Sequence, residues 1–356
     1  MKNKVHNFSA GPSILPHIVF EQASSAINNF NNSGLSILEI SHRSKDFIEV
    51  LEEARSISLD LASLNKDDYS CLFLQGGASM QFLMVAYNFL NSKAGYVNTG
   101  SWSTKAIKEA KMFGDVSEIA SSADKNFNYI PNLSNINDDF DYVHITSNNT
   151  IFGTQFHSFP ETASPLFADM SSDIFSRNIN FSKFDLIYAG AQKNLGPAGA
   201  TLVVIKNDLL ENIKDNVPSM MNYKVHADKS SMFNTPPVFS VYVSMLNMRW
   251  LKKMGGVSEI EKLNRKKAQL LYSEIDLNPL FNGHAREVDR SIMNATFNLT
   301  DDNFKDSFET MLADAKITAL SGHRSVGGYR ASMYNAMSID SVKVLVEVMS
   351  ELESKI

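Results

Sequence analysis

The chain has 356 residues, 44% hydrophobic and 20% charged, the make-up of an ordinary folded protein and too long for one hydrophobic core. Its 33 Lys and Arg against 39 Asp and Glu leave a formal charge of −6, with neither sign gathered into a block, which argues against a nucleic-acid partner. No apolar run is long enough for a membrane span, and the start Met-Lys-Asn-Lys-Val-His-Asn-Phe-Ser lacks the core of a secretory signal, so a cytoplasmic enzyme is expected.

From about residue 70 short apolar runs alternate with helix-length amphipathic segments, the pattern of βα units around a mostly parallel, buried sheet. The strands expected are Cys71–Gln75, Gly95–Asn98, Val116–Ala120, Tyr142–Thr146, Leu166–Asp169, Leu186–Ala189 and Leu202–Ile205. Cys71, the single cysteine, lies in the first of them and reads as an inert core thiol. Helices are expected over Gln81–Asn91, Thr104–Phe113 and Val241–Met254, the last closed by Gly255-Gly256. Ser121–Asp139, rich in Asn, Ser and Asp, reads as a surface excursion.

Beyond Gly256 the texture changes: a helix at Ile260–Ile275, a strand at Ile292–Leu299, a helix at Phe304–Ala315, a strand at Gly328–Tyr334 and a helix at Ser338–Ser350. The expected fold is therefore α/β. A large domain over 16–255 holds a mostly parallel seven-stranded sheet flanked by helices, and a smaller α+β domain covers 256–356, with residues 1–15 packing near it.

Five features carry the chemistry. Gln75-Gly-Gly-Ala-Ser79 follows a strand and opens a helix, where backbone amides can hold a phosphate; a bare Gly-Gly reads equally as a tight turn. Trp102 follows Tyr96-Val-Asn-Thr-Gly-Ser101 and reads as an aromatic at the mouth of the sheet, not on a helix face, able to lie against a flat ligand; plain packing is the competing reading. Asp169 ends a strand expected at the centre of the sheet, where a buried carboxylate needs a cation; a helix N-cap is the alternative, although Ser171, Ser172 and Asp173 are better placed to cap. Lys193, beside Gln192, enters a Gly- and Pro-rich loop from an apolar strand. Alone it reads as a turn lysine, but a crowded amine loses solvation and can attack a carbonyl to form a Schiff base. Arg330 lies in a strand pattern within Gly322-His-Arg-Ser-Val-Gly-Gly-Tyr-Arg-Ala-Ser-Met-Tyr-Asn335, placed to grip a carboxylate, with a surface ion pair as the alternative. Ser41-His-Arg-Ser-Lys45 is a second basic cluster.

These motifs, with Asn7-Phe-Ser-Ala-Gly-Pro-Ser13, Asn148-Asn-Thr-Ile-Phe-Gly-Thr-Gln155, Gly190-Ala-Gln-Lys-Asn-Leu-Gly-Pro-Ala-Gly199 and Asn234-Thr-Pro-Pro237, stand in the order of the phosphoserine aminotransferase family. The chain resembles that family from residue 6 to about residue 336, and the family is a class V, fold type I group of pyridoxal-phosphate enzymes. The resemblance implies that Lys193 carries pyridoxal 5'-phosphate covalently, Asp169 pairs with its pyridine nitrogen and Trp102 stacks on its ring. Thr150 and Gln192 would hydrogen-bond the cofactor, and Ala78 and Ser79 would bind its phosphate. Asn234 and Thr235 would reach the phosphate of the neighbouring subunit, which implies a homodimer with shared active sites. Arg330 would hold the substrate α-carboxylate, and His42, Arg43, His323 and Arg324 the distal anion. No metal is implied. One departure is Ala78-Ser79, where many members carry Gly-Arg; the missing charge falls to another residue.

The activity implied is ping-pong transamination between O-phospho-L-serine with its keto acid and L-glutamate with 2-oxoglutarate, in serine biosynthesis, extending to 4-phosphohydroxy-L-threonine in pyridoxine biosynthesis. The alternative is another class V aminotransferase acting on a different small amino acid. A cysteine desulfurase needs a mobile thiol, and Cys71 is in the wrong place. A nicotinamide dehydrogenase needs a glycine fingerprint that Gly76-Gly77 does not supply. A non-catalytic binding protein on this scaffold is expected to lack Lys193 or Asp169, and both are present.

Overall fold

A computed structural model describes residues 4–133, 135–136 and 139–355. The seven expected strands form one seven-stranded sheet in the order Tyr69–Leu74, Thr201–Lys206, Leu186–Gly190, Leu166–Asp169, Tyr142–Thr146, Lys93–Asn98, Asp115–Ser121. Only Thr201–Lys206 runs antiparallel to its neighbours. The central strands are apolar without a break because both faces are covered.

Alternate residues point to opposite faces, and two apolar clusters divide them accordingly. Cys71, Phe73, Val143, Ile145, Ala168, Ile187 and Val204 pack with Phe47, Val50, Leu51 and Ala54 of the helix Lys45–Ala62 and with Val241, Met245 and Met248 of Val238–Lys253. Leu72, Tyr142, Phe167, Leu186 and Val203 face the other way, onto Phe82 and Val85 of Gly77–Phe89 and Ala106 and Ile107 of Ser101–Ala110.

This topology places the site. With Thr201–Lys206 set aside, the strands flanking the centre end at one edge, so Leu74, Asn98, Thr146, Asp169 and Gly190 deliver their following loops to a common rim. The carboxyl edge of a parallel sheet is where α/β proteins collect ligand groups.

A third apolar cluster gathers Leu271, Ile275, Phe281, Ala295, Phe297, Phe308, Ala331, Val342 and Leu345. Its sheet is antiparallel, Phe281–Gly283, Asn294–Leu299 and Tyr329–Ser332, with helices Gly256–Leu277, Lys305–Asp314 and Ile339–Ser354 packed on it. Phe8 joins this cluster, and His6–Asn7 pairs in parallel with Ile317–Thr318. The helix Gly256–Leu277 serves two cores, with Val257 and Ile260 in the first and Ala268, Leu271 and Ile275 in the third. Between them the buried Lys267 Nζ donates to the carbonyls of Met333, Tyr334 and Met337 at 2.9, 2.8 and 3.1 Å, tying that helix to the chain just after Arg330.

Three expectations change. The helices His17–Asn28 and Lys45–Ala62 precede the stretch read as elements. The helix expected from Gln81 begins at Gly77, because Gly76, at φ 94°, turns the chain directly from strand to helix. The segment read as a surface excursion is partly packed: Ser122 and Ile136 are buried, and Asn135–Ile136 pairs with Glu161–Thr162. Ser134, Asn137 and Asp138 of that segment lie outside the described residues.

Candidate active site

Lys193 sits in the loop that follows Leu186–Gly190, held from two sides. Across the loop, Ala191 N donates to Ala200 O at 3.0 Å and Gly196 N to Ala191 O at 2.7 Å. From the N-terminal segment, Ser13 N donates to Gln192 O at 2.9 Å and Ser13 Oγ to Lys193 O. Gly11, at φ 154°, passes so close that a Cβ there would meet Lys193 Cγ at 3.4 Å.

The Lys193 amine donates to Thr150 Oγ1 at 2.8 Å and lies 5.4 Å from the centre of the Trp102 ring. No carboxylate forms an ion pair with it among the described residues. Loss of solvent pulls its pKa down to about 8; Asp169 opposes this and the charge of Arg330 adds to it. In cofactor-free protein, competitive acylation of Lys193 should therefore rise with a midpoint near pH 8, while surface lysines titrate about two units higher. Midpoints that coincide would mean the amine is not perturbed.

Asp169 is 5% exposed at the end of its strand, between Thr146 and Tyr188 in register. Its Oδ1 accepts from Ser171 N at 2.9 Å and Ser171 Oγ at 2.6 Å, and Ser171 Oγ accepts from Gly190 N at 3.0 Å. Ser171 thus caps Asp169, and turns follow instead of the helix that Ser171, Ser172 or Asp173 were expected to cap. The second carboxylate oxygen has no hydrogen-bond partner among the described residues. Burial raises the carboxyl's pKa, with the charge of Lys193 and the Ser171 hydrogen bonds pulling the other way.

Trp102 lies within the first turn of the helix Ser101–Ala110, not ahead of it as expected. The helix starts early because Ser103 Oγ accepts from both Thr99 N and Gly100 N at 2.9 Å. The Trp102 indole Nε1 is buried and has no hydrogen-bond partner among the described residues.

Ala78 and Ser79 occupy the first turn of Gly77–Phe89. A Cβ on Gly190 would meet Gln192 Oε1 at 2.8 Å and Ala78 N at 3.5 Å, so this helix start, Gln192 and the strand end crowd together. Gln75 Nε2 donates to Thr235 O at 2.7 Å, and Asn234 lines a cavity of about 300 Å³ with Gln75 and Gly76.

Arg330 lies on Tyr329–Ser332, paired with Thr296, and its Nε is buried with no hydrogen-bond partner among the described residues. Burial lowers the pKa of His323, and the charges of Arg330, Arg324 and Lys105 lower it further, which places four basic side chains in one field. Within a single chain, and among the described residues, neither His42 nor Arg43 forms a hydrogen bond or ion pair with Lys193, Asp169 or Arg330.

Sequence reading passed over Tyr334, although it falls inside the quoted Gly322–Asn335 segment. Its hydroxyl donates to Ala10 O at 2.7 Å and accepts from Asn294 Nδ2 at 3.3 Å. Tyr334 also acts on Arg330, opposing the fall in pKa that burial imposes on that guanidinium. No group of three or more His, Cys, Asp or Glu side chains that could hold a metal occurs among the described residues, and none of their helices is long and apolar enough to cross a membrane.

Comparison with known proteins adds to this geometry. The class-V aminotransferase family model matches residues 5–345. A phosphoserine aminotransferase of Flavobacterium psychrophilum is 59% identical over 99% of this chain and 100% of its own length. Among solved structures, a phosphoserine aminotransferase studied for radiation damage of its Schiff base is 45% identical, with a TM-score of 0.96 over 99% of this chain and 100% of that one. The pyridoxal-phosphate-bound phosphoserine aminotransferase of Trichomonas vaginalis is 35% identical, with a TM-score of 0.91 over 98% and 100% of the two chains. This chain belongs to the class-V aminotransferases and, within them, to the phosphoserine aminotransferase family.

Proposed function

We propose that this family member uses pyridoxal 5'-phosphate to exchange an amino group reversibly between O-phospho-L-serine and 2-oxoglutarate, giving 3-phosphohydroxypyruvate and L-glutamate. The observation that carries the reading is a depressed amine, Lys193, set against an indole and near a buried carboxylate, Asp169, at the carboxyl edge of the sheet. The residues fit the cofactor. Among the described residues two buried donors, Trp102 Nε1 and Arg330 Nε, lack partners, and Asp169 is buried without an ion-pair partner, which suits a cationic ring nitrogen.

Lys193 would hold the cofactor's aldehyde carbon, Asp169 its ring nitrogen, Trp102 its ring face, Thr150 and Gln192 its polar edge, and Ala78 and Ser79 its phosphate, with Asn234 and Thr235 reaching that of a second subunit. When bound, the cofactor supplies an electron sink for the bond at the substrate's α-carbon. The chain does the rest. Asp169 keeps a proton on the ring nitrogen. Arg330 grips the α-carboxylate and so fixes which α-bond is exposed. The Lys193 amine, near its pKa at neutral pH, takes the α-proton and returns it, while Thr150 keeps that amine in reach. His323 and Arg324, with His42 and Arg43 of a second copy, would take the distal anion, a carboxylate in one substrate and a phosphate in the other.

Serine biosynthesis follows from this activity. We further read the chain as a cytoplasmic homodimer with domains at 16–255 and 256–356, and as accepting 4-phosphohydroxy-L-threonine in pyridoxine biosynthesis, since that substrate carries the same phosphate. Adding O-phosphoserine to cofactor-loaded protein should shift its visible absorption band as glutamate does. A band that glutamate shifts and O-phosphoserine leaves unmoved would favour a different small amino acid.

A further inference from the structure

Lys105 is one helical turn beyond Trp102 on Ser101–Ala110, and its Nζ lies 4.4 Å from the centre of the Trp102 ring. The Lys193 amine lies 5.4 Å from the same centre, so one indole carries two ammonium groups. Lys105 is exposed, yet it has no hydrogen bond or carboxylate partner among the described residues. An exposed lysine keeps its rotamer freedom unless something holds it, and here the ring face does.

Its charge also reaches inward. His323 feels Lys105 together with Arg324 and Arg330, and no acidic side chain is among the groups acting on that imidazole. Among the described residues the field at His323 is thus cationic, with Lys105 held at the Trp102 ring as one of its sources. An arriving anion supplies the missing charge, and a dianion gains more from an added ammonium than a carboxylate does.

Building on the function proposed above, we propose that Lys105 binds the distal phosphate of the substrate, with Trp102 fixing its direction, and sets the preference for a phosphate over a carboxylate at that position.

The test uses cofactor-loaded protein, with Lys105→Gln to remove the charge and Lys105→Arg to keep it. The first readout is the KM for O-phosphoserine against that for glutamate; the second is binding of inorganic phosphate, followed by Trp fluorescence. Loss of one charge-assisted contact should raise the phosphoserine KM and the phosphate Kd of K105Q about tenfold, change the glutamate KM about twofold or less, and be largely restored in K105R. Equal changes for both amino acids would mean that Lys105 only packs on Trp102, and unchanged phosphate binding and substrate ratio would also overturn the proposal. A wild-type protein that ignores O-phosphoserine while K105Q still loses phosphate affinity would sink the assigned substrate and leave the lysine as an anion ligand.

Discussion

Replacing Lys193 with alanine should lower transamination by about ten-thousand-fold or more, because in the proposed function one amine both anchors the cofactor and carries the α-proton. The loss should not come from unfolding. Among the described residues the side chain makes a single hydrogen bond, to Thr150, and its loop is held through the backbone by Ser13, Ala191 and Ala200. Single-turnover measurements at high enzyme concentration separate residual chemistry from slow cofactor exchange, and an unchanged melting midpoint of the cofactor-free variant checks the fold. Lys193→Arg preserves the charge but not a nucleophile that deprotonates near neutral pH, so it should fail similarly. Added methylamine should restore part of the alanine variant's rate, since a small amine can ferry the proton. Activity within about a hundredfold of wild type would remove Lys193 from the chemistry.

The central sheet was legible because its strands are buried on both faces, which leaves continuous runs such as Leu186-Ile-Tyr-Ala-Gly190 that no amphipathic helix would carry. Lys45–Ala62 had its own signal, Ser44 as cap and Phe47, Val50, Leu51 and Ala54 at helical spacing, but lay ahead of the βα rhythm that organised the reading. The pairing of His6–Asn7 with Ile317–Thr318 had none, because two-residue strands so far apart leave no periodicity. At the site, residues placed by strand ends were readable: Asp169 and Lys193 each stand where an apolar run stops. Residues placed by tertiary contact were not. Tyr334 depends on the separate segments of Ala10 and Asn294 meeting at its hydroxyl. Trp102 falls between these cases, since its neighbourhood was legible but the early helix start, set by the Ser103 hydroxyl, was not.

Replacing Asp169 with asparagine should reduce activity by about a thousandfold, while borohydride still labels Lys193 in the loaded protein. The magnitude is that of removing one partner of a buried ion pair, about 3–5 kcal/mol. Stability should move differently. In the cofactor-free protein burial raises the Asp169 pKa above its unfolded value, so between those two values the folded state binds more protons and stability falls as pH rises. At neutral pH the lone carboxylate therefore works against folding, and cofactor-free D169N should melt no lower than wild type, with Ser171 still donating to Oδ1. Asparagine keeps an acceptor oxygen for Ser171, which is why it is the better test than alanine. Once the cofactor is bound the order should reverse, because in the role proposed for Asp169 the ring nitrogen would supply the cation that makes the wild-type carboxylate favourable. A site built for a ligand is thus expected to cost stability when empty and return it on binding. D169N with activity within tenfold of wild type, or with the same gain in melting temperature on cofactor binding, would show that this carboxylate does not tune the ring.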